Sequence, residues 1–113
     1  MTLSDITTTT GDRATSLRAA LGARAQFAGD PGYDLARAPW NVAVDQRPIA
    51  VVRPETAEEV VEVVRAAAAS GLRVAPQSTG HAALALADTD LSDAVLVSLA
   101  GLRGVTVDAA ART

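Results

Sequence analysis

Hydrophobic and polar positions alternate with little order at the start of the chain and then settle into a pattern. Residues 1–12 are polar and Thr-rich with no period, which predicts a loose tail. Residues 13–26 carry good helix formers, and Leu17 and Leu21 fall four apart on one helical face, although Gly22 weakens a helix there. From Phe27 to Pro48 the reading is irregular. Gly29-Asp30-Pro31-Gly32 is turn chemistry, and Pro39 and Pro48 interrupt any regular element.

The pattern sharpens at Ile49-Ala50-Val51-Val52, a short apolar run that suits a strand buried on both faces and ends at Pro54. Thr56-Ala57-Glu58-Glu59 has the form of a capping box: the Thr56 hydroxyl can accept from the Glu59 amide while the Glu59 carboxylate reaches back. The helix that follows places Val60, Val64 and Ala67 on one stripe, with Val61 and Ala68 beside them. Gly71 is placed as its left-handed stop, and Leu72-Arg73-Val74-Ala75 reads as the next strand. Strand, capped helix, glycine and strand make a βαβ unit, with its strands parallel and its crossover right-handed. A polar loop, Pro76-Gln77-Ser78-Thr79-Gly80-His81, leads to an apolar stretch over 82–87 that fits no single element. Ala94-Val95-Leu96-Val97 predicts a third strand, Gly101-Leu102-Arg103-Gly104 a turn, and Val105-Thr106-Val107 a fourth strand. The fold class is therefore α+β, with an α/β-like βαβ subdomain.

Composition narrows what such a unit can do. With 113 residues the chain makes one small domain; 49% are hydrophobic and 20% charged, a balance unlike that of a disordered chain. The apolar residues are mostly Ala and Val, with one Trp, one Tyr and one Phe, so the core is thin and would gain from further chain or a ligand. The net charge of −3 and the lack of a basic stripe argue against nucleic acid as a partner. No cysteine is present, which excludes disulfides, thiolate zinc sites and cysteine nucleophiles, and a single histidine excludes a multi-histidine metal site. The opening MTLSDITTTT has neither the basic nor the apolar part of a secretory signal, and the apolar runs are too short to cross a bilayer. A cytoplasmic location with no membrane partner is the expectation.

Ligands of open α/β sheets bind beyond the carboxyl ends of the strands, which singles out the loop over 76–81. Two readings stand at this point. One is a polar turn with a surface histidine, since such loops are routinely rich in Ser, Thr and Gly. The other is an anion site, in which Gly80 admits a ligand close to the backbone, Ser78 and Thr79 offer hydroxyls, and consecutive amides form a nest. Trp40 and Tyr33 are expected as anchors that pack the irregular segment. Asp34 and Arg37 suit a local surface ion pair. Asp88, Asp90 and Asp93 lack calcium-loop spacing and read as a solvated loop.

A joint order of residues changes the weight of the two readings of the loop. Tyr33-Asp34, Arg37, Trp40-Asn41, Arg47-Pro48, Val52-Arg53-Pro54-Glu55-Thr56-Ala57-Glu58-Glu59-Val60 and Gln77-Ser78-Thr79-Gly80-His81 occur in one sequence, followed by 95–97 and 105–108. That order, over about 33–112, resembles the berberine-bridge-enzyme-like flavin oxidases, which share the vanillyl-alcohol oxidase and p-cresol methylhydroxylase (PCMH) type of FAD-binding domain. The resemblance implies FAD as cofactor and makes Gln77, Ser78, Thr79, Gly80, His81 and Ala82 its binding positions, with no catalytic or metal-ligating residue. In many family members the pyrophosphate turn is an Arg followed by glycines and then His. Here Gln77, Ser78 and Thr79 replace the Arg and glycines, so a cationic partner is missing while Gly80 and His81 are retained. His81 matches the usual point of covalent attachment to the flavin 8α-methyl. Family members run to several hundred residues, with the rest of the FAD domain and a substrate domain that supplies the catalytic base. The implied organisation is a tail and helix over 1–32 and a partial FAD-binding domain over 33–113. The implied function is FAD binding as the N-terminal part of a flavin-dependent oxidoreductase, the chain being a gene fragment, a truncated frame or one piece of a split protein in which a second chain supplies the remaining domains. The alternative is a truncated, catalytically silent remnant or an interaction module without flavin.

Overall fold

Four short strands build one mixed sheet in the computed structural model, which describes residues 9–113. The strands are β1 (Ala25–Phe27), β2 (Ala50–Val52), β3 (Arg73–Gln77) and β4 (Ala94–Ser98), in the order β1-β2-β4-β3. β1 runs antiparallel to β2, whereas β2 and β3 both pair parallel with β4. The helices are α1 (Thr10–Leu21), the short α2 (Tyr33–Arg37) and α3 (Ala57–Ala69). The α+β class and the βαβ unit stand as expected from sequence. The two strands of that unit are not neighbours, however, because β4 is inserted between them.

The sheet has a thick face and a thin one. Ala50, Val52, Val95 and Val97 join Leu17 and Leu21 of α1, Phe27 of β1 and Val63 and Ala67 of α3 in the main core. On the opposite face the register aligns Val51, Leu96 and Ala75 side by side, and Tyr33 and Ala36 of α2 pack over this row. Residues 94–97 are fully buried, as a continuous apolar run in a central parallel strand should be. β3 is an edge strand with Val74 and Pro76 exposed, and Pro76, which has no N–H to donate, is tolerated at such an edge.

Local chemistry explains where the helices differ from the sequence reading. α1 begins at Thr10 because Thr9 caps it: the Thr9 hydroxyl accepts from the Asp12 amide at 3.1 Å, and the Asp12 carboxylate accepts from the Thr9 amide at 3.3 Å. Residues 9–12 are therefore cap and first turn rather than tail; the rest of the predicted tail, 1–8, lies outside the described residues. Gly22 ends α1 with φ +59°, so Ala25 and Gln26, expected as helix, and Phe27, expected as irregular, are free to pair as a strand. In α3 the Thr56 hydroxyl accepts from the Glu59 amide at 3.1 Å, but the Glu59 carboxylate accepts from the Glu55 amide at 2.7 Å instead of Thr56. The buried row of α3 is Val63 and Ala67, which meet Leu17, Leu21 and Leu72; Val61 and Val64 remain about half exposed. Gly71 stops α3 at φ +70°, as its place predicts. The predicted fourth strand is absent. Val105 and Val107 are exposed at 91% and 77%, because no strand edge or apolar surface lies against them.

Tyr33 is the anchor that its size suggests. It is buried, its hydroxyl donates to the Pro48 carbonyl at 2.7 Å, and the Arg37 guanidinium lies 5.5 Å over its ring. Tyr33→Phe removes that hydrogen bond and strands a carbonyl, so the free energy of unfolding in urea should fall by about 1 kcal/mol. Titration of stability should show an acid limb. Hydrogen bonds from the Phe27 amide and then Arg18 hold Asp30 below its ordinary value; Arg37 and then Arg47 do so for Asp45, and Arg73 for Asp93. With the folded-state pKa depressed, the unfolded chain takes up protons first. The stabilisation is complete above the ordinary carboxylate value of about 3.9 and drains away as pH falls through the lower folded values. The urea midpoint should stay level from neutral pH to about 5 and decline below about 4.

Candidate functional site

Because β2, β4 and β3 are parallel, their carboxyl ends emerge together at one edge of the sheet. β3 runs through Gln77, and the chain then turns over Ser78-Thr79-Gly80-His81 into a single 3-10 turn, Ala83–Leu86, whose N-cap is Ala82. Ser78, Thr79, His81 and Ala82 are exposed. Among the described residues the amide N–H groups of Ser78, Thr79 and Gly80 donate to no protein acceptor, and the His81 amide makes one long contact, 3.4 Å, to the Thr79 hydroxyl. Three consecutive free donors beside two hydroxyls form an anion-seeking surface.

What holds this loop is the irregular segment before β2. The Trp40 amide donates to the Thr79 carbonyl at 2.9 Å. Gly80 has φ +81°, and a Cβ on it would come within 2.6 Å of the Pro39 Cβ and 2.8 Å of the Pro39 Cα. The close approach that demands a glycine here is therefore made by the protein's own Pro39, on which the loop leans. Trp40 is not the buried anchor expected of it. It is 69% exposed, and its indole packs on the His81 imidazole at 4.6 Å between ring centroids, tilted by 35°. This contact restrains an otherwise free surface histidine.

Gln77 is tied from behind. Its Oε1 accepts from the Nε2 of buried Gln46 at 2.7 Å, and the same Nε2 reaches the Arg37 carbonyl at 3.4 Å. The Arg37 guanidinium in turn donates to Asp34 at 2.8 Å, to Asp45, and to the Gln46 carbonyl at 2.8 Å. The pair Asp34–Arg37 is thus one arm of a network and not an isolated surface pair. Asp93 and Asp90 likewise serve the fold: Asp93 pairs with Arg73, and the Asp90 carbonyl accepts from the same guanidinium at 2.8 Å. No cluster suited to a metal ion occurs among the described residues, and no described helix is long and apolar enough to cross a membrane.

Two clefts flank the loop on the thin face of the sheet. One, of about 280 Å³, is walled by Ala75, Leu96 and Leu91 and carries Gln46, Gln77 and His81 at its mouth. The other, of about 420 Å³, lies between the loop and α2 and holds Arg24, Arg53, Ser78, Thr79 and Ser98. Arg24 is engaged by Glu62. Arg53 forms no ion pair among the described residues, so it is the available cation of this cleft. Together the clefts have the size of a small-ligand site. Free amides, hydroxyls, an unpaired guanidinium and a restrained imidazole form a donor set that fits a dinucleotide with negative oxygens and a flat ring. All six positions expected from sequence lie on this loop and its exit. Gln46, Arg53 and the stacking role of Trp40 were not anticipated; only the Trp40-Asn41 and Arg53-Pro54 pairs in the ordered motif hinted at two of them.

Comparison with known proteins agrees with this chemistry. The profile of the FAD binding domain family matches residues 48–113, more than half of the chain, and the chain belongs to that family. FAD is accordingly its cofactor. Among solved structures it is similar to Physcomitrella patens BBE-like 1, with a TM-score of 0.64 and 30% identity over 92% of this chain and 22% of that one. The D396N variant of the same protein gives a TM-score of 0.67 and 26% identity over 87% and 21%. Aclacinomycin oxidoreductase gives 0.60 and 30% over 76% and 18%. The chain spans about a fifth of the length of these structures. A comparison with curated proteins finds no match. The resemblance to berberine-bridge-enzyme-like proteins that the ordered motifs carry is thus borne out.

Two glycines with similar backbones separate conformation from contact. Gly71→Ala meets open space at φ +70° and should cost only the left-handed penalty, about 1 kcal/mol. Gly80→Ala adds the collision with Pro39 and should destabilise by about 2–3 kcal/mol in urea unfolding. Only Gly80→Ala should also shift the emission of Trp40, the sole tryptophan.

Proposed function

We propose that the loop over 77–82 binds the FAD of a flavin-dependent oxidoreductase and that His81 carries a covalent link to the flavin 8α-methyl. The observation that carries this reading is the row of unpaired amides at Ser78, Thr79 and Gly80 leading directly to an exposed imidazole, at the common carboxyl edge of three parallel strands. When bound, the flavin supplies hydride acceptance, chemistry that belongs to the cofactor. The chain supplies place and electrostatics. Its amides and the Ser78 and Thr79 hydroxyls receive negative oxygens, and Arg53 brings the positive charge that Gln77 lacks. Trp40 restrains the imidazole so that its nucleophilic nitrogen meets the ligand without a search over rotamers. Ala75, Leu91 and Leu96 keep one wall of the cleft apolar. The remaining FAD contacts, the substrate pocket and the catalytic base belong to further chain, in keeping with the fifth of the related structures that this one spans. Nothing in the fold favours a silent remnant.

The test supplies the protein with FAD and its complementing domains, denatures it in acid and examines the His81 peptide by mass spectrometry. Wild type should retain yellow colour and the added flavin mass on that peptide, and His81→Ala should release all of its flavin. Complete release from wild type, with equal retention before denaturation by both proteins, would remove the tether.

A further inference from the structure

Gln46 lies outside the loop, outside every motif that pointed to FAD, and yet it is one of the two buried polar side chains among the described residues. Its Nε2 stands between two oxygens, the Arg37 carbonyl at 3.4 Å and the Gln77 Oε1 at 2.7 Å. A backbone carbonyl can only accept, so the Gln46 atom that faces Arg37 must be the NH2 group. The same NH2 faces Gln77, which therefore must present its carbonyl oxygen backward. The orientation of Gln77 is then settled, and its own NH2 group is left toward the ligand. That group has no acceptor among the described residues, and Gln77 lines both clefts.

We propose that Gln46 is a positioning residue that locks Gln77 as a neutral hydrogen-bond donor to an oxygen of the bound FAD. The inference rests on the reading of the 77–82 loop as the FAD site. It explains how a chain with Gln77 in place of a cation still offers donor protons at that position. Without the lock, either face of the Gln77 amide could turn to the ligand, and the carbonyl face would repel a phosphate or flavin oxygen. The Arg37 network holds the lock in register, because its guanidinium grips the Gln46 carbonyl and Asp45 on the same segment.

The measurement is FAD titration by calorimetry of the chain together with its complementing domains, with wild type, Gln77→Ala, Gln46→Glu and the double variant. A carboxylate accepts and does not donate, so Gln46→Glu should draw the Gln77 NH2 backward and turn its oxygen to the ligand. FAD binding should weaken about tenfold, as should binding by Gln77→Ala, each losing about one hydrogen bond. In the Gln77→Ala background Gln46→Glu should add no further loss, since it acts through Gln77. NMR gives a second readout: the Gln77 side-chain amide protons should shift on addition of FAD in wild type and not in Gln46→Glu. An equal loss from Gln46→Glu in both backgrounds would mean that the introduced charge acts on FAD directly, and overturns the inference. So would wild-type affinity in Gln77→Ala. If wild type itself takes up no FAD, the reading of the loop falls, and the role of Gln46 falls with it.

Discussion

β4 is hydrogen-bonded along both edges by parallel strands and buried on both faces, and the arrangement of the chain follows from satisfying it. A parallel neighbour on each side requires long connections. α3 supplies one by crossing between β2 and β3, which leaves a gap that only β4 fills. The carboxyl ends of three strands are thereby brought to one edge. Each buried valine of β2 and β4 contributes about 1.5–3 kcal/mol, so the pairing is held by apolar burial as much as by its ladder.

Cover on the two faces is unequal, and the clefts arise from that inequality. α1 and α3 pack closely on Ala50, Val52, Val95 and Val97, while the row Val51, Leu96 and Ala75 is packed by Tyr33 and Ala36 of α2 and borders the two clefts. A thin face costs apolar burial but leaves concave, partly dry surface beside the strand ends. The loop over 78–81 stands at this border. Its left-handed glycine is held in place by Pro39 and by the Trp40 amide, so the free donors of Ser78 and Thr79 face outward from a supported turn. Trp40 remains exposed because it covers His81 instead of entering the core.

Charge is distributed with the same economy. Arg37 ties Asp34, Asp45 and the Gln46 carbonyl together, and Arg47 also reaches Asp45 at 2.8 Å. Most of these groups are solvent-exposed, and such pairs contribute little stability singly. Their effect is geometric: they hold the segment before β2 against the loop, with Gln46 inside it. Arg53 stays out of this network and faces the larger cleft.

The central elements were legible in the sequence because local chemistry dictates them. Ile49-Ala50-Val51-Val52 and Ala94-Val95-Leu96-Val97 are too apolar for any place but the middle of a sheet, and Thr56 and Gly71 mark the ends of α3 by capping alone. The loop over 77–82 was legible too, through an ordered set of motifs shared with FAD-binding proteins. Tertiary packing decided the rest. Val105-Thr106-Val107 has strand chemistry but lies against neither open edge of the sheet, whereas Ala25–Phe27 has little strand signal and pairs because β2 offers it an edge. The buried row of α3 depends on how α1 lies across it, which periodicity alone does not specify. Gly80 could be read as a glycine required by close approach, but only the packing of Pro39 shows what approaches. Trp40 on His81 and Gln46 behind Gln77 are contacts between segments 31 or more positions apart, and no local pattern encodes which distant side chain will meet another.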